Sequence, residues 1–244
     1  MAVLLSKHQK NMKKINLIAM LIALVWLTAC NEEDPGPFQQ DRQSYALVDF
    51  DRIEAEDALI VTIKYGENFS IEADGDRRNL NDLIVSKNGN ALNLRFNHSQ
   101  RRQYATYVNI TLPVLYGADF SGAVNATVSG FTGVNRMDLS LSGASLAQLT
   151  MDMKEIHFSL SGASQLRLAG EGQLIDGNVS GASILSAFDF NTTTSTLTVS
   201  GASQGKVSVS QQLEVSASGA SEVLYRGSPQ VIAEVTGSSV VRKD

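Results

Sequence analysis

The segment Gly201-Ala202-Ser203-Gln204-Gly205 matches the G-x-S-x-G pattern that surrounds the nucleophile of many serine hydrolases. In those enzymes the serine occupies a sharp turn between a strand and a helix, and an acid and a histidine further along the chain activate it. Here no histidine follows Ser203, because the last one is His157. We therefore interpret Ser203 as part of a structural repeat, and we predict no catalytic residue in this segment.

The two other chemically versatile side chains are His98 and His157. Neither has a second histidine or a cysteine at the spacing of metal ligands, so the sequence predicts no metal site and no cofactor. His157 lies between Ile156 and Phe158 in an alternating segment, which indicates a strand with the histidine on its outward face.

Carboxylates in the second half of the chain could cleave glycosidic bonds, because that chemistry needs two acid or base groups close together. The acidic residues there are Asp138, Asp152, Glu155, Glu171, Asp176, Asp189, Glu214, Glu222 and Glu234. Counted along the chain, they do not fall at one phase of the repeat described below. We predict that they lie on solvated faces and turns. A carbohydrate-active enzyme of the polysaccharide lyase or glycoside hydrolase type remains the alternative.

Paired bases and one acidic motif complete the set of residues that could bind ligands. Arg77-Arg78 and Arg101-Arg102 could bind acidic glycans or phosphate, but we favour the interpretation that they are exposed loop ends. Asp74-Gly75-Asp76 is similar to the start of a calcium-binding loop, but the later ligands of such a loop are missing.

The N-terminus has the pattern of a lipoprotein signal peptide. Lys13 and Lys14 precede an apolar run over residues 17–27, and Leu27-Thr28-Ala29-Cys30 resembles a bacterial lipobox. We predict that residues 1–29 are removed and that Cys30 carries the lipid. A lone cysteine buried in the membrane is the alternative, and Met12 could be the true start, because the segment after it is already a complete signal.

Cleavage before Cys30 would change the composition of the chain. The segment 1–29 contains four lysines and no acid, which leaves 16 basic and 25 acidic residues and a formal charge of −9. An acidic chain without a basic patch is a poor nucleic-acid binder. With Cys30 lipidated, no thiol remains for disulfides. Residues 30–44 contain acids and two prolines, and they are predicted to form a flexible tether.

Residues 45–115 show the alternation of half-buried strands. Leu92, Leu94 and Phe96 alternate with Asn93 and Arg95, as one-sided burial of a strand requires. An Asn-Gly pair at residues 88–89 lies between two such runs and is a strong hairpin signal. The sequence therefore predicts an N-terminal β lobe over residues 45–115.

Residues 116–244 are repetitive. A Ser-Gly-Ala-Ser step or a close variant recurs seven times, and the intervals between its glycines are 21, 19, 19, 20, 18 and 18 residues. Those glycines are Gly122, Gly143, Gly162, Gly181, Gly201, Gly219 and Gly237. One unit of this length cannot bury its own apolar face, but stacked units can. The sequence thus predicts an all-β chain, in which the N-terminal lobe leads into a parallel β-helix-like solenoid of about seven coils of 18–21 residues.

Each residue of the step has a predicted role. Gly162, for example, permits a bend or a close approach of neighbouring coils. We expect Ala163 to fill a narrow interior corner and the serine hydroxyls to form a ladder from coil to coil.

These steps, the upstream Ile110-Thr111-Leu112-Pro113 and the closing segment over residues 223–239 together resemble the putative auto-transporter adhesin family with a head GIN domain. The resemblance covers roughly residues 48–241. It implies a β-rich N-terminal portion that leads into a β-helix-like stack, in an envelope lipoprotein of Bacteroidetes, and it supplies no catalytic residues.

Together these patterns predict a lipid-anchored protein of the bacterial outer membrane that faces outward and has no catalytic activity. Its expected role is that of an adhesin or a binding scaffold, with a glycan or an envelope protein as partner besides the membrane. A purely architectural lipoprotein without a ligand is a further alternative.

Overall fold

A computed structural model of the protein describes residues 36–244. The predicted signal peptide and Cys30 lie outside the described residues. Within residues 36–244 no helix has the length and apolar character needed to cross a membrane.

The described chain is almost entirely β-structure, as the alternating patterns predict. Its nineteen strands are β1 (Gln40–Ser44), β2 (Arg52–Ala55), β3 (Ile60–Tyr65), β4 (Ser70–Asp76), β5 (Leu83–Asn88), β6 (Ala91–Phe96), β7 (Tyr107–Leu112), β8 (Gly117–Phe120), β9 (Asn125–Ser129), β10 (Val134–Leu141), β11 (Leu146–Thr150), β12 (Met153–Leu160), β13 (Gln165–Glu171), β14 (Leu174–Val179), β15 (Ile184–Val199), β16 (Gln204–Ala217), β17 (Glu222–Gly227), β18 (Gln230–Val235) and β19 (Val240–Lys243). One helix, α1 (Arg77–Asp82), interrupts them.

The strands of the coils stack in two parallel ladders. The first ladder contains the strands that precede the tight turns, in the spatial order β6, β2, β8, β10, β12, β14, the second halves of β15 and β16, and β18. The second ladder contains the strands that follow the turns, in the order β7, β3, β9, β11, β13, the first halves of β15 and β16, β17 and β19. Alternate side chains of both ladders enclose one apolar core. The predicted solenoid of about seven turns is confirmed.

The coil formed by β2 and β3 lies out of sequence order. It is stacked between the β6–β7 coil and the β8–β9 coil, so strands of the predicted N-terminal lobe continue the two ladders without a break. Its turn contains Asp57 and Ala58, which adopt φ angles of 65° and 60° in place of a glycine. The next turn in the stack packs directly against it, because a Cβ at Gly122 would lie 3.1 Å from the backbone nitrogen of Asp57.

The N-terminal end of the solenoid is covered by antiparallel strands. Strand β5 pairs with β6, β4 pairs with β7, and β1 pairs with β4. The tether predicted over residues 30–44 therefore does not extend through β1. Polar side chains hid this strand from the sequence pattern, because the solvated edge of a sheet needs no apolar alternation.

The recurring glycines all occupy the same position in the turn. Their φ angles lie between 70° and 80°, a region that residues with a Cβ rarely adopt. In each turn of the stack, the carbonyl of the glycine accepts a hydrogen bond from the amide that follows the next glycine, as from Ala163 to Gly143 at 2.8 Å. The same contact brings the coils so close that a Cβ at Gly162 would lie 2.5 Å from the Gly143 oxygen.

The alanine of the step does not fill an interior corner, so that expectation is wrong. Ala163 is exposed, whereas Ser164, the last residue of the step, is fully buried. The chain bends at Gly162 and Ala163 on the outside of the turn, and the following residue is the first that points inward again. The Ser164 hydroxyl remains satisfied because it donates to the Ser161 carbonyl at 2.8 Å. Only one direct contact between stacked hydroxyls is found among residues 36–244, from Ser221 to Ser239 at 3.1 Å.

Candidate functional site

A groove with a volume of about 460 Å³ crosses the outer face of the first ladder. Its walls come from β2, β8, β10, β12, β14 and the second half of β15. Alternate residues of a strand point to the same side, and the parallel strands stack in register. The outward side chains of successive coils therefore align into columns that run along the stack. Within a column, neighbouring residues lie about 4.8 Å apart, and each coil contributes one rung.

Two such columns line the groove. The charged column consists of Arg52, Gly117, Asp138, His157 and Asp176. The polar column, two residues further along each strand, consists of Glu54, Asp119, Ser140, Ser159, Asn178 and Thr198. Both belong to strands whose opposite face contributes to the core.

Gly117 leaves room for an ion pair at the N-terminal end of the charged column. The Arg52 side chain passes over Gly117 and its Nη2 donates to Asp138 Oδ2 at 3.0 Å. A Cβ at residue 117 would lie 2.4 Å from Arg52 Nη1. Arg136 Nε donates to the other oxygen of the same carboxylate at 2.8 Å. Burial disfavours ionisation of Asp138, but the hydrogen bonds from Arg136 and Arg52 outweigh it and lower its pKa.

His157 occupies the middle of the charged column. Its Nδ1 lies 3.2 Å from Asp176 Oδ2, and its Nε2 lies 3.5 Å from Glu155 Oε2. Nε2 is shielded from solvent and has no hydrogen-bond partner of good geometry among residues 36–244. The outward orientation predicted for His157 is observed, but the residue is not isolated: stacking brings Asp176 of the next coil beside its ring, and Glu155 approaches it from two residues earlier on the same strand.

The acids of the second half of the chain do not all fall at one phase of the repeat, but three of them do share one. Asp138, Asp176 and Glu214 each lie five residues before the glycine of their own turn, and His157 has the same position in its coil. The variable coil lengths obscured this, because a count along the chain at a fixed interval drifts by one or two residues per coil. A count from each glycine would have revealed both columns from Gly117 and Asp119 onward, but not Arg52 and Glu54, whose turn contains no glycine.

Glu54 and Asp119 form an unpaired acidic rung at the head of the polar column. They are register partners on adjacent parallel strands, and both side chains are exposed. Within the described part of the chain neither carboxylate has an ion pair or a hydrogen bond. The groove therefore offers two free carboxylates at one end and hydroxyl and amide groups along its length.

The remaining residues singled out in the sequence lie elsewhere. Ser203 is buried on the inside of its turn, and its hydroxyl accepts from the Ser183 amide at 3.3 Å. It is followed by β16 and not by a helix, so its surroundings are not those of a catalytic serine. Among residues 36–244 no group of three or more His, Cys, Asp and Glu side chains is arranged to hold a metal ion.

The paired bases and the Asp-Gly-Asp motif stabilise the N-terminal end. Arg78 binds Asp76 through Nε at 2.7 Å, and Arg77 Nε lies 3.7 Å from Asp41. Asp74 accepts from Arg42 at 2.6 Å. Arg102 forms an ion pair with Asp82, and its guanidinium stacks on Phe96, with Cζ 3.5 Å from the centre of the ring. These side chains are engaged with one another and do not line the groove.

The model of the family described as "Putative auto-transporter adhesin, head GIN domain" matches residues 49–229. This range includes every strand that lines the groove. No protein with a curated description matches the chain.

Several solved structures have the same fold. A putative adhesin from Bacteroides fragilis superimposes with a TM-score of 0.74 at 15% identity, covering 84% of this chain and 97% of that one. A putative adhesin from Parabacteroides distasonis has a TM-score of 0.70 at 16% identity, with coverages of 86% and 98%. A putative lipid binding protein from Parabacteroides distasonis has a TM-score of 0.66 at 16% identity, with coverages of 84% and 96%. At these identities the likeness shows the fold alone.

Proposed function

Because this chain belongs to the putative auto-transporter adhesin, head GIN domain family, we propose that it is a non-enzymatic adhesin of the bacterial cell envelope that binds an extended glycan along its groove. The observation that supports this proposal most directly is the pair of columns on the first ladder. A chain of sugar units presents hydroxyl groups at regular intervals, and the polar column offers a carboxylate, hydroxyl or amide on every rung.

The shape and charge of the groove also favour a polar, elongated ligand. It is open, and the solenoid continues the outer face beyond it in both directions. Solenoids commonly use such long faces to bind extended partners. Asp138 is already neutralised by two arginines, whereas Glu54 and Asp119 are free to accept hydrogen bonds from a ligand.

A matched pair of variants tests the groove. Ser159→Trp places a bulky side chain in the middle of the polar column, and we expect it to weaken glycan binding at least tenfold. Thr127→Trp introduces the same side chain at an exposed position of the second ladder and should leave binding unchanged. Binding is measured on a broad glycan array and then by titration with the best ligand. Equal binding by both variants, or no glycan binding by the unmodified chain, would contradict the proposal.

A carbohydrate-active enzyme is the second candidate function. The groove combines Arg52 with Asp138 and His157 with Asp176 on one face, and glycan cleavage by acid–base chemistry uses groups of these types. The bound glycan should therefore be incubated with the protein and its reducing ends counted. Release of products that is lost in His157→Gln would support an enzyme, whereas tight binding without products supports an adhesin.

One relative by fold is described as a lipid binding protein, which raises the question of an apolar ligand. Pockets for apolar ligands are lined predominantly by hydrophobic and aromatic side chains. The groove of this chain instead exposes two columns that are mostly charged and polar. These columns favour a glycan over a lipid tail, and phospholipid vesicles provide the control ligand in the same titration.

We also propose that the chain is anchored to the outer membrane, facing outward, by a lipid on Cys30. The basic flank, the apolar run and the lipobox-like Leu27–Cys30 segment support cleavage after Ala29, and the polar segment after Cys30 would hold the solenoid away from the membrane. The family's adhesin description is consistent with a position at the cell envelope.

Mass spectrometry of protein extracted from membranes tests the anchor. We expect the mass to show loss of residues 1–29 and an added lipid on Cys30, and a Cys30→Ser variant should leave the membrane fraction. The mature protein should also show only tyrosine fluorescence, because the single tryptophan, Trp26, lies in the removed segment. An intact N-terminus on the membrane-bound protein would contradict this assignment.

A further inference from the structure

The last coil of the described solenoid has one unpaired side. Strand β18 pairs with β16, and β19 pairs with β17, and neither has a second neighbour within residues 36–244. An edge of this kind presents a row of free backbone N–H and C=O groups, which favours pairing with another strand.

Exposed apolar side chains concentrate on this coil. In the described chain ten large hydrophobic residues are exposed, and four of them, Val231, Ile232, Val235 and Val240, belong to β18 and β19. Val231 and Val235 continue core columns of the first ladder, because their register partners Leu213 and Ala217 are buried. These side chains would be buried if another layer of strands covered the coil.

The opposite end of the solenoid differs in its apolar exposure: its outermost strands β1 and β5 also have one neighbour each within residues 36–244, but neither contains an exposed large hydrophobic residue. There the antiparallel strands β1, β4 and β5 cover the parallel ladders. The outermost strand β1 has the sequence Gln-Asp-Arg-Gln-Ser and contains no apolar residue. Polar end coils keep solenoids soluble; of the two ends within residues 36–244, the β18–β19 end is therefore the one at which an open edge and exposed apolar side chains coincide.

The charges of this end distinguish between the ways in which a second copy could dock. Glu234 is the only charged residue of β18, whereas β19 contains Arg242 and Lys243. Strands β18 and β19 run in opposite directions, since the turn over residues 236–239 connects them directly. A second copy that is placed on this end by a two-fold axis can therefore pair its β18 and β19 with those of the first copy in two orientations, and the paired strands are antiparallel in both.

The first orientation pairs β18 with β18 and β19 with β19, and it brings the basic residues of the two copies together. The second pairs β18 of each copy with β19 of the other, and it places the strand with Glu234 beside the strand with Arg242 and Lys243 twice. Opposite charges across an interface set the preferred orientation, and like charges disfavour the other one. We propose that two copies of this chain dock end to end through β18–β19 pairs in the second orientation, forming a two-fold symmetric dimer.

Charge exchange provides the test, using the full chain in one detergent throughout. Sedimentation velocity over a concentration series is expected to show a monomer–dimer equilibrium for the unmodified chain. Glu234→Lys alone, and Arg242→Glu combined with Lys243→Glu, should each raise the dimer dissociation constant at least tenfold. An equimolar mixture of the two variants should restore the dimer, because each β18–β19 pair then again joins opposite charges.

A matched control separates the edge from general charge effects. Glu214→Lys makes the same change on the neighbouring strand β16, which is paired on both sides, and the dimer should be unaffected. Unchanged circular dichroism and melting temperature verify that each variant folds; should the double variant not fold, the contrast between Glu234→Lys and Glu214→Lys still decides. A monomer at every concentration, a dimer insensitive to Glu234→Lys, a mixture that stays monomeric, or growth into open-ended polymers would each overturn the proposal.

Discussion

Gly162→Ala is expected to lower the free energy of unfolding by about 3 kcal/mol, because two costs coincide at this position. The glycine adopts a φ of 74°, which is strained for any residue with a Cβ. In addition, the new methyl group would lie 2.5 Å from the Gly143 oxygen, a backbone atom that cannot rotate away. To relieve this contact the coils must move apart and weaken the hydrogen bond from Ala163 to Gly143. Chemical denaturation followed by circular dichroism measures the loss.

Two control variants separate the costs. Gly89 adopts a φ of 61° in a hairpin with no atom within 4 Å of the added Cβ, so Gly89→Ala should cost only the backbone strain, about 1 kcal/mol. Ala163→Leu changes an exposed residue of the same turn and should alter stability by less than about 0.5 kcal/mol. If Gly162→Ala and Gly89→Ala lowered the free energy of unfolding equally, the contact with the Gly143 oxygen would add no cost to the backbone strain, and the prediction would be wrong.

Asp76→Asn is expected to destabilise the N-terminal end of the solenoid by about 2–3 kcal/mol, because it removes a buried charged acceptor from several donors at once. Only 1% of the Asp76 side chain is exposed. Its carboxylate accepts from the Gln39 amide at 2.9 Å, from the Arg78 amide at 3.0 Å and from the Arg78 guanidinium at 2.7 Å. The variant should increase hydrogen exchange in β1 and β4 more than in the central coils.

The effect of Asp76 should depend on pH. Hydrogen bonds from the Arg78 side chain, and then those from backbone amides, outweigh burial and hold the pKa of Asp76 well below its usual range. A carboxyl group with a lowered pKa in the folded state contributes stability that is complete above its unfolded pKa, about 4, and declines as the pH falls further. The difference between the native chain and Asp76→Asn should therefore be largest at neutral pH and shrink below about pH 4.

Asp74→Asn serves as the matched control for Asp76. Asp74 also accepts from an arginine, but the Arg42 side chain is 63% exposed, and such surface pairs contribute less than about 1 kcal/mol. Comparable effects of the two substitutions at neutral pH would show that burial does not strengthen the Asp76 interaction.

Much of the solenoid could be predicted because one physical requirement repeats in every coil. A tight turn with positive φ requires glycine, so the glycines report the coil boundaries directly. Strand alternation then separates inward from outward residues. The failed assignment of Ala163 shows the limit of this reasoning: the step identifies a turn, but the side of the turn that each small residue occupies depends on the backbone path.

The first coil illustrates a second limit. Its turn uses Asp57 and Ala58 at positive φ and lacks the glycine by which the other turns were recognised. Its place between two later coils follows from non-local strand pairing, to which chain order gives no guide. The same holds for β1, a polar strand that is defined only by the edge it joins.

The sequence by itself determined the all-β class, the number and spacing of the seven glycine-containing turns, and the alternation that directs every second side chain outward, because these properties depend on neighbours within a few residues. Only the tertiary structure decided which outward residues meet. Arg52 contacts Asp138 across 86 residues of chain, and His157 lies beside Asp176 of the next coil. Such contacts depend on the order in which the coils stack and on their register, which arise from hydrogen bonds between distant strands. The groove is therefore a product of stacking.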